Sequence, residues 1–416
     1  MGCDSVAAPE LWSRVMEMIS DKPRLARLLE HFSALADVRE RWRVAYPLPE
    51  VLLLVVCGTI ASGDDYDDIR DWGEAHLGFL RRFLRRFLRR FLRRFLRRFL
   101  PYHHGLPCAD WLRTLMNRLD PALFSACFMA WVREVRPDAP DLIAIDGKTA
   151  RRSHDRGTGR QALHLVSAFA TNERLVLGQE AVEDTSCEQV AIPALLRRLA
   201  EAGALKGALV TIDAIACNPT IAAAIVENEA DYLLSVKQNQ PNLLAEIASA
   251  FAHAPAGSLN VAEEVDKGHG RIETRRVSVS HEVGWMASNR RFPGEYRFPQ
   301  LAALIRVEAI RESKGHISSE QRYYIASTPL TAARAAHAIR GHWQIENALH
   351  WVLDVTFRED LSRLRKGYGA ANMALVRHFA LNLLRTVIDK RSLKTRRKRA
   401  SFDPTYLQAI LGASAR

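Results

Sequence analysis

Two short apolar runs, each closed by an aspartate, constrain this chain more than any other feature. Leu142-Ile143-Ala144-Ile145 leads into Asp146-Gly147, and Ala208-Leu209-Val210-Thr211-Ile212 leads into Asp213. Short apolar runs that stop at a turn read as buried strands. Leu163 to Ala170, Leu175 to Leu177 and Tyr232 to Val236 are three more candidates. Helical stretches around Leu195, Leu196 and Leu199, and from Ile221 to Glu229, fall between them. Three strands followed by alternating helices and strands predict an α/β fold, a mixed sheet with helices on its faces. Ligands of open α/β sheets gather at the carboxyl ends of strands. One aspartate after one strand is usually a cap or turn residue, but two in one sheet point to a shared site.

Residues 1–135 read as a helical N-terminal domain. After Pro23, Leu25, Leu28, Leu29 and Phe32 recur at helical spacing, with Arg24, Arg27 and Glu30 between them to face water. Pro47-Leu48-Pro49 places proline at the first turn of a second helix, and Val51 to Cys57 reads as its buried part. Asp64, Asp65, Asp67 and Asp68 fit a helix N-terminus, where the macrodipole favours acids. Residues 136–390 read as the α/β domain. Within it, residues 241–330 form a β-rich insertion marked by alternation in Glu273 to Val279, Leu304 to Val307 and Tyr323 to Ala326. Helix returns from Thr331 to about Val355 and from Asn372 to about Asp389. Residues 391–416 read as a basic C-terminal tail.

Composition excludes several classes. No run approaches the roughly 20 apolar residues of a membrane span, and Met1 to Ser5 does not open a signal peptide, so the expectation is a cytoplasmic protein with no membrane partner. Cys3, Cys57, Cys108, Cys127, Cys187 and Cys217 show neither zinc-ligand spacing nor a disulfide framework and read as free, mostly buried thiols. The net charge of +12 suggests nucleic acid. Ten of the arginines lie between residues 81 and 98, however, and without them the balance is +2. The run Lys390 to Arg399 is the better basic candidate.

A third carboxylate lies in Arg340-Gly341-His342-Trp343-Gln344-Ile345-Glu346-Asn347-Ala348-Leu349-His350-Trp351-Val352-Leu353-Asp354. His342, Glu346, His350 and Asp354 recur every fourth residue, and on a helix each such step drifts only about 40°, giving one polar stripe. Ile345, Leu349 and Val352 form an adjacent apolar stripe. Trp343 and Trp351 flank the polar stripe and favour burial over a solvated face. Cleavage of a phosphodiester by water must stabilise charge on the attacking and leaving oxygens, which two divalent ions about 3.5–4 Å apart do. Carboxylates are the hard oxygen ligands that magnesium or manganese takes.

Ile145-Asp146-Gly147-Lys148, Thr211-Ile212-Asp213-Ala214, Asp231-Tyr232-Leu233-Leu234 followed by Lys237-Gln238-Asn239-Gln240, His269-Gly270-Arg271-Ile272-Glu273, and Ile345 to Val355 together resemble the H-repeat-associated, ISAs-type insertion-sequence DDE transposases. The resemblance runs from about residue 25 to 412. It implies an RNase H-like catalytic fold with a β-rich insertion before the final acid, and a triad of Asp146, Asp213 and Glu346 that is catalytic and binds two Mg2+ or Mn2+ ions. It also implies double-stranded DNA as partner (terminal inverted repeats and target), a homodimer on DNA, and a place at the bacterial nucleoid. Lys148, Lys237, His269, Arg271, His342, Asn347, His350 and Asp354 are candidates for DNA contact or for support of the carboxylates. Lys237, His269 and Arg271 are expected to line one groove. Two departures stand out. The Arg and Lys that related transposases place four residues before and seven after the Glu are His342 and Leu353 here. Where similar sequences read Met-Gly-Cys-Gln, this chain reads Ile215-Ala216-Cys217-Asn218.

Three other readings compete with DNA cleavage and strand transfer. An RNase H-like nuclease would use the same triad without joining ends. An inactive DNA-binding transposon relic would fit the repeat expansion. A zinc hydrolase using His342, Glu346 and His350 lacks the His-Glu-x-x-His spacing and leaves both strand-end aspartates idle.

From Phe79 to Leu100 the chain repeats Phe-Leu-Arg-Arg. A strand gains no amphipathicity from this pattern. A helix does, with a stripe that winds around a rod of about 33 Å. Ten arginines could grip phosphates, but an invariant repeat is better explained by slippage that lengthened one turn of an existing helix. Deleting four repeats should therefore leave a folded protein with better solubility and unchanged specific DNA binding, checked by circular dichroism and band shift. Loss of end recognition would make the repeat a DNA-binding element.

Overall fold

The chain's elements follow in this order in a computed structural model that describes all residues except 1–23, 38, 41–43, 92–99, 137, 156, 183–187, 269–270, 288–296, 314–315 and 413–416. Helices α1 (Arg24–Ala34), α2 (Leu48–Ile60), α3 (Tyr66–Ala75), α4 (Leu77–Phe91), α5 (Ala109–Arg118) and α6 (Pro121–Val135) come first. Then come β1 (Leu142–Ala150), β2 (Leu163–Ala170), β3 (Leu175–Val182), α7 (Glu188–Glu201), β4 (Leu209–Ile212), α8 (Pro219–Glu227), β5 (Asp231–Val236) and α9 (Pro241–Ala252). Strands β6 (Asn260–Gly268), β7 (Arg271–Ser280), β8 (Ala303–Ser313) and β9 (His316–Ala326) lead to α10 (Ala332–Gln344), α11 (Trp351–Val355), α12 (Gly369–Arg385), α13 (Leu393–Phe402) and α14 (Pro404–Ile410). Contacts divide the chain into two units. One comprises Met1–Pro137, Thr149–Leu165 and His350–Arg416, the other Asp138–Lys148 and Val166–Leu349. No helix among the described residues is long and apolar enough to cross a membrane.

A nine-stranded sheet has the order β3-β2-β1-β4-β5-β9-β8-β7-β6. Strand β4 runs parallel to both β1 and β5. Ile145 pairs with Ile212, so Asp146 and Asp213 follow at one level, Asp213 just past the end of β4 and Asp146 within β1, which runs on to Ala150 where a turn was expected. Both strands are buried through these runs, as the unbroken apolar pattern predicts. The β-rich segment is a continuation of the same sheet, because β9 pairs antiparallel with β5 from Leu233↔Ala326 to Val236↔Tyr323. Strand β6 carries Glu263, Glu264, Asp266 and Lys267 and is almost wholly exposed, so no apolar alternation announced it. The segment also opens with a helix: Pro241 starts α9, and Ile247 and Phe251, four residues apart, are its buried contacts. Helix α10 covers the sheet with Ala332, Ala335, Ala336 and Ala338, packed with Leu142, Leu209, Leu233, Val277 and Ile305.

In the unit of Met1–Pro137, Thr149–Leu165 and His350–Arg416, α2 is buried along its whole length. Phe32, Phe124, Phe128 and Trp131 surround Phe379 with ring centroids 4.8–5.7 Å away, mostly at the tilted or edge-on angles that aromatic quadrupoles favour. Arg24, Arg27 and Glu30 do not simply face water: Arg24 donates to Thr386 Oγ1 at 2.5 Å and Arg27 to the Glu134 carbonyl at 2.9 Å. Asp65 caps α3 by accepting from the backbone N–H of Asp67 and Asp68, so the acidic cluster is a helix start. The first repeat units belong to α4, where Phe79, Leu80, Phe83 and Leu84 are buried; residues 92–99 of the repeat lie outside the described residues. Cys57, Cys108, Cys127 and Cys217 are free, and of these Cys108 is exposed; Cys3 and Cys187 lie outside the described residues.

The basic segment after residue 391 forms helices α13 and α14 where a tail was expected. Arg397 is 3% exposed. It donates to the carbonyls of Thr59, at 2.9 and 3.2 Å, and of Thr356, and stacks over Phe357 at 4.3 Å. This arginine is committed to the interior.

Glu50 on α2 is 3% exposed. Burial raises its pKa to about 7, although the Tyr102 N–H and Arg81 pull the other way. The folded value exceeds the unfolded one, so Glu50 costs stability as pH rises from about 4.5 to 7 and costs most above 7. Glu50→Gln should gain about 2–3 kcal/mol at pH 8 and nothing near pH 4, measured by urea unfolding. A pH-independent difference would refute a titrating Glu50.

Candidate active site

Asp146 stands on β1 immediately after the stretch paired with β4 and is half-buried. Asp213 follows β4 and opens a tight turn, Ala214–Ala216. Ala216 is buried and does not need a left-handed backbone, so the loop accommodates its Cβ. Glu346, exposed, comes from the helical layer. All three line one cavity of about 190 Å³, together with Thr211, Ser235, Lys237, Glu320, Arg322, Tyr324, His342 and Trp343.

The helix expected to run unbroken to Val355 changes pitch at the site. Between α10 and α11, Ile345–His350 forms a π-helical turn, so the regular four-residue stripe does not continue through it. Such turns insert an extra residue and cluster at functional sites. Ligand atoms of Asp146 and Glu346 lie within 4.8 Å of one another. Asp213 is not one of that group.

The Asp213 carboxylate instead receives the Lys237 ammonium, with Nζ 2.9 Å from Oδ1 and 3.0 Å from Oδ2. Partial burial opposes the charged form of Asp213, but the Lys237 hydrogen bonds, the Ala214 N–H and the lysine charge outweigh it and lower the pKa. The rest of this phrase closes the neighbouring loop: Asn239 Nδ2 donates to the Ala214 carbonyl at 2.5 Å and Gln240 Nε2 to the Cys217 carbonyl at 2.9 Å. Burial lowers the His342 pKa against the pull of Asp213 and Glu346, so the ring is neutral at pH 7. Its Nδ1 lies 3.1 Å from Thr211 Oγ1.

Other candidates fall elsewhere. Lys148 lies two residues beyond Asp146 on β1 and does not line the cavity. Arg271 begins β7 opposite Gly268, at a hairpin tip, and is not in the cavity with Lys237. His269 lies outside the described residues. Asn347 donates to the Trp343 carbonyl at 3.1 Å and lines a neighbouring cavity of about 410 Å³. Asp354 belongs to α11 and is half-buried.

Glu320, Arg322 and Tyr324 went unnoticed in the sequence. They alternate along β9 and share one face, and all three line the carboxylate cavity. Glu320 accepts from Arg322 through both oxygens, at 2.7 and 2.8 Å, and the guanidinium lies 5.5 Å from the Trp343 ring centroid. The only signal was period-two spacing in a polar stretch, which any exposed strand shows.

The family model described as a transposase DDE domain matches residues 137–383, and a second model, described as associated with it, matches residues 29–92. The chain is 35% identical over 399 residues to the H repeat-associated YhhI of Escherichia coli (strain K12), covering 94% of this chain and 99% of that protein. It is also 35% identical over 396 residues to YncI of Escherichia coli O157:H7, covering 93% and 94%. A solved piggyBac transposase synaptic complex with hairpin DNA covers 98% of the chain, and the chain covers 82% of it. That match has 10% identity and a TM-score of 0.37, too weak to bear on the fold.

Gly341 fixes how closely the helical layer approaches β1. A Cβ there would overlap the Leu142 side chain and come within 3.3 Å of Thr171 Oγ1. Gly341→Val should lower stability by about 2 kcal/mol through overpacking, read from the urea midpoint. An unchanged midpoint would mean that the contact yields freely.

Proposed function

Because the chain belongs to the H repeat-associated transposases with a DDE domain, we propose that Asp146, Asp213 and Glu346 form the centre that cleaves insertion-sequence ends and joins them to target DNA. The observation that carries this reading is the placing of three carboxylates in one cavity, two of them with ligand atoms within 4.8 Å. The strand order also supports an RNase H-like reading: β3, β2 and β1 lie on one side, and β4 and β5 follow parallel to β1 on the other.

The donor set suits magnesium or manganese, being dominated by carboxylate oxygens. Asp146 and Glu346 would hold one ion and Asp213 would contribute to a second. Divalent ions bound there would supply charge stabilisation at the attacking and leaving oxygens. The chain's own groups do the rest. Arg322, oriented by Glu320 and Trp343, offers a guanidinium to a DNA phosphate. Neutral His342 keeps the helix beside Thr211 without adding charge. Hydrolysis adds water to the scissile phosphorus and releases a 3′-hydroxyl. In strand transfer that hydroxyl oxygen takes the place of water at a target phosphodiester, exchanging one P–O bond for another. We read the DNA-bound state as a homodimer, since an element with two ends needs two such centres.

Asp146→Asn and Glu346→Gln should each reduce end cleavage by roughly a hundredfold or more, while band-shift affinity stays near wild type because phosphate contacts elsewhere dominate binding. Wild-type cleavage by either variant would refute the triad. Labelled cut ends that never join a target plasmid would favour a nuclease without strand transfer.

A further inference from the structure

Ligand atoms of Asp146 and Glu346 lie within 4.8 Å of each other, and both oxygens of Asp213 face the Lys237 ammonium at 2.9 and 3.0 Å. Resting on the triad reading above, we infer that Lys237 is a latch on the second metal position. The DNA-free protein takes up one divalent ion at Asp146 and Glu346, and binds a second strongly only when a DNA phosphate draws Lys237 off Asp213.

Three features support the latch. The lysine is held where it can act: the Gln240 N–H bonds the Lys237 carbonyl at 2.9 Å, and the Asn239 and Gln240 side chains tie this turn to the loop after Asp213. The ion pair is weak enough to exchange, since the Lys237 and Asp213 side chains are 56% and 48% exposed and such pairs contribute little. Finally, an ammonium on the carboxylate both occupies its oxygens and repels an incoming dication. A phosphate relieves both effects, giving lysine a new partner and bringing negative charge to the ions. Metal and DNA then strengthen each other's binding by the same factor.

The test is Mn2+ binding to the full chain without DNA, read from the electron paramagnetic resonance signal of free Mn2+. Wild type should bind one ion, with a second about tenfold or more weaker. Lys237→Gln and Lys237→Met should tighten the second ion by about tenfold, while Lys237→Arg, which keeps the charge, should behave as wild type. Two charge-free variants keep the test from depending on one substitution's folding, which thermal unfolding reports. A short duplex of arbitrary sequence should tighten the second ion more in wild type than in Lys237→Gln, where only the phosphate charge remains to act. An unchanged second ion in both charge-free variants overturns the latch. Asp146→Asn separates the two ideas. If it binds Mn2+ as wild type does, the triad reading fails; if it loses the first ion while the Lys237 variants change nothing, only the latch fails.

Discussion

Helix α10 lies on the sheet through small residues. Ala332, Ala335, Ala336 and Ala338 pack against Leu142, Leu209 and Leu233, and at Gly341 there is no room for a Cβ beside Leu142. Larger residues would hold the helix off the strands, because packed interiors do not absorb extra volume without strain. Leu142 lies four residues before Asp146, and Gly341 lies five before Glu346. The tight contact therefore fixes the base on which the two carboxylates approach each other. The π-helical turn at Ile345–His350 then sets the direction in which Glu346 leaves the helix.

Clustering acids carries an electrostatic cost, which this chain meets with cations from the same sheet. Lys237, just beyond β5, neutralises Asp213, and Arg322 on β9 is held by Glu320 at the cavity wall. The pairing of β9 with β5 brings Ser235 opposite Tyr324, so the β-rich segment contributes directly to the site. It is part of the same sheet, with α9 leading into it.

Basic residues divide by burial. Arg397 and Arg377 are nearly inaccessible; the first satisfies backbone carbonyls, and the second lies 3.3 Å from buried Glu359. A buried charge without a partner is costly, so such arginines serve the fold whether or not the pair itself adds stability. Arg396 likewise donates to the carbonyls of Leu384 and Val387 at the end of α12. Counting basic residues in Lys390 to Arg399 therefore overstates what is available to DNA, whereas Lys237 and Arg322, isolated in the sequence, stand in the cavity.

The sequence alone determined the apolar strand runs that lead into Asp146 and Asp213, although β1 continues past Asp146 to Ala150 where a turn was expected. It also determined the buried helix at Val51 to Cys57, the acidic cap before α3 and the family, because these depend on local periodicity and on phrases of adjacent residues. It also marked Glu346 as a site candidate, though it predicted a regular helix around it. Only the tertiary structure decided that α10 gives way to a π-helical turn, that β6 to β9 extend the main sheet, that Lys237 sits on Asp213, and that Glu320, Arg322 and Tyr324 join the cavity. Helical pitch at one turn, strand pairing across about ninety residues and the partner of a single ammonium are set by packing and long-range register. None of these leaves a periodic trace in the chain.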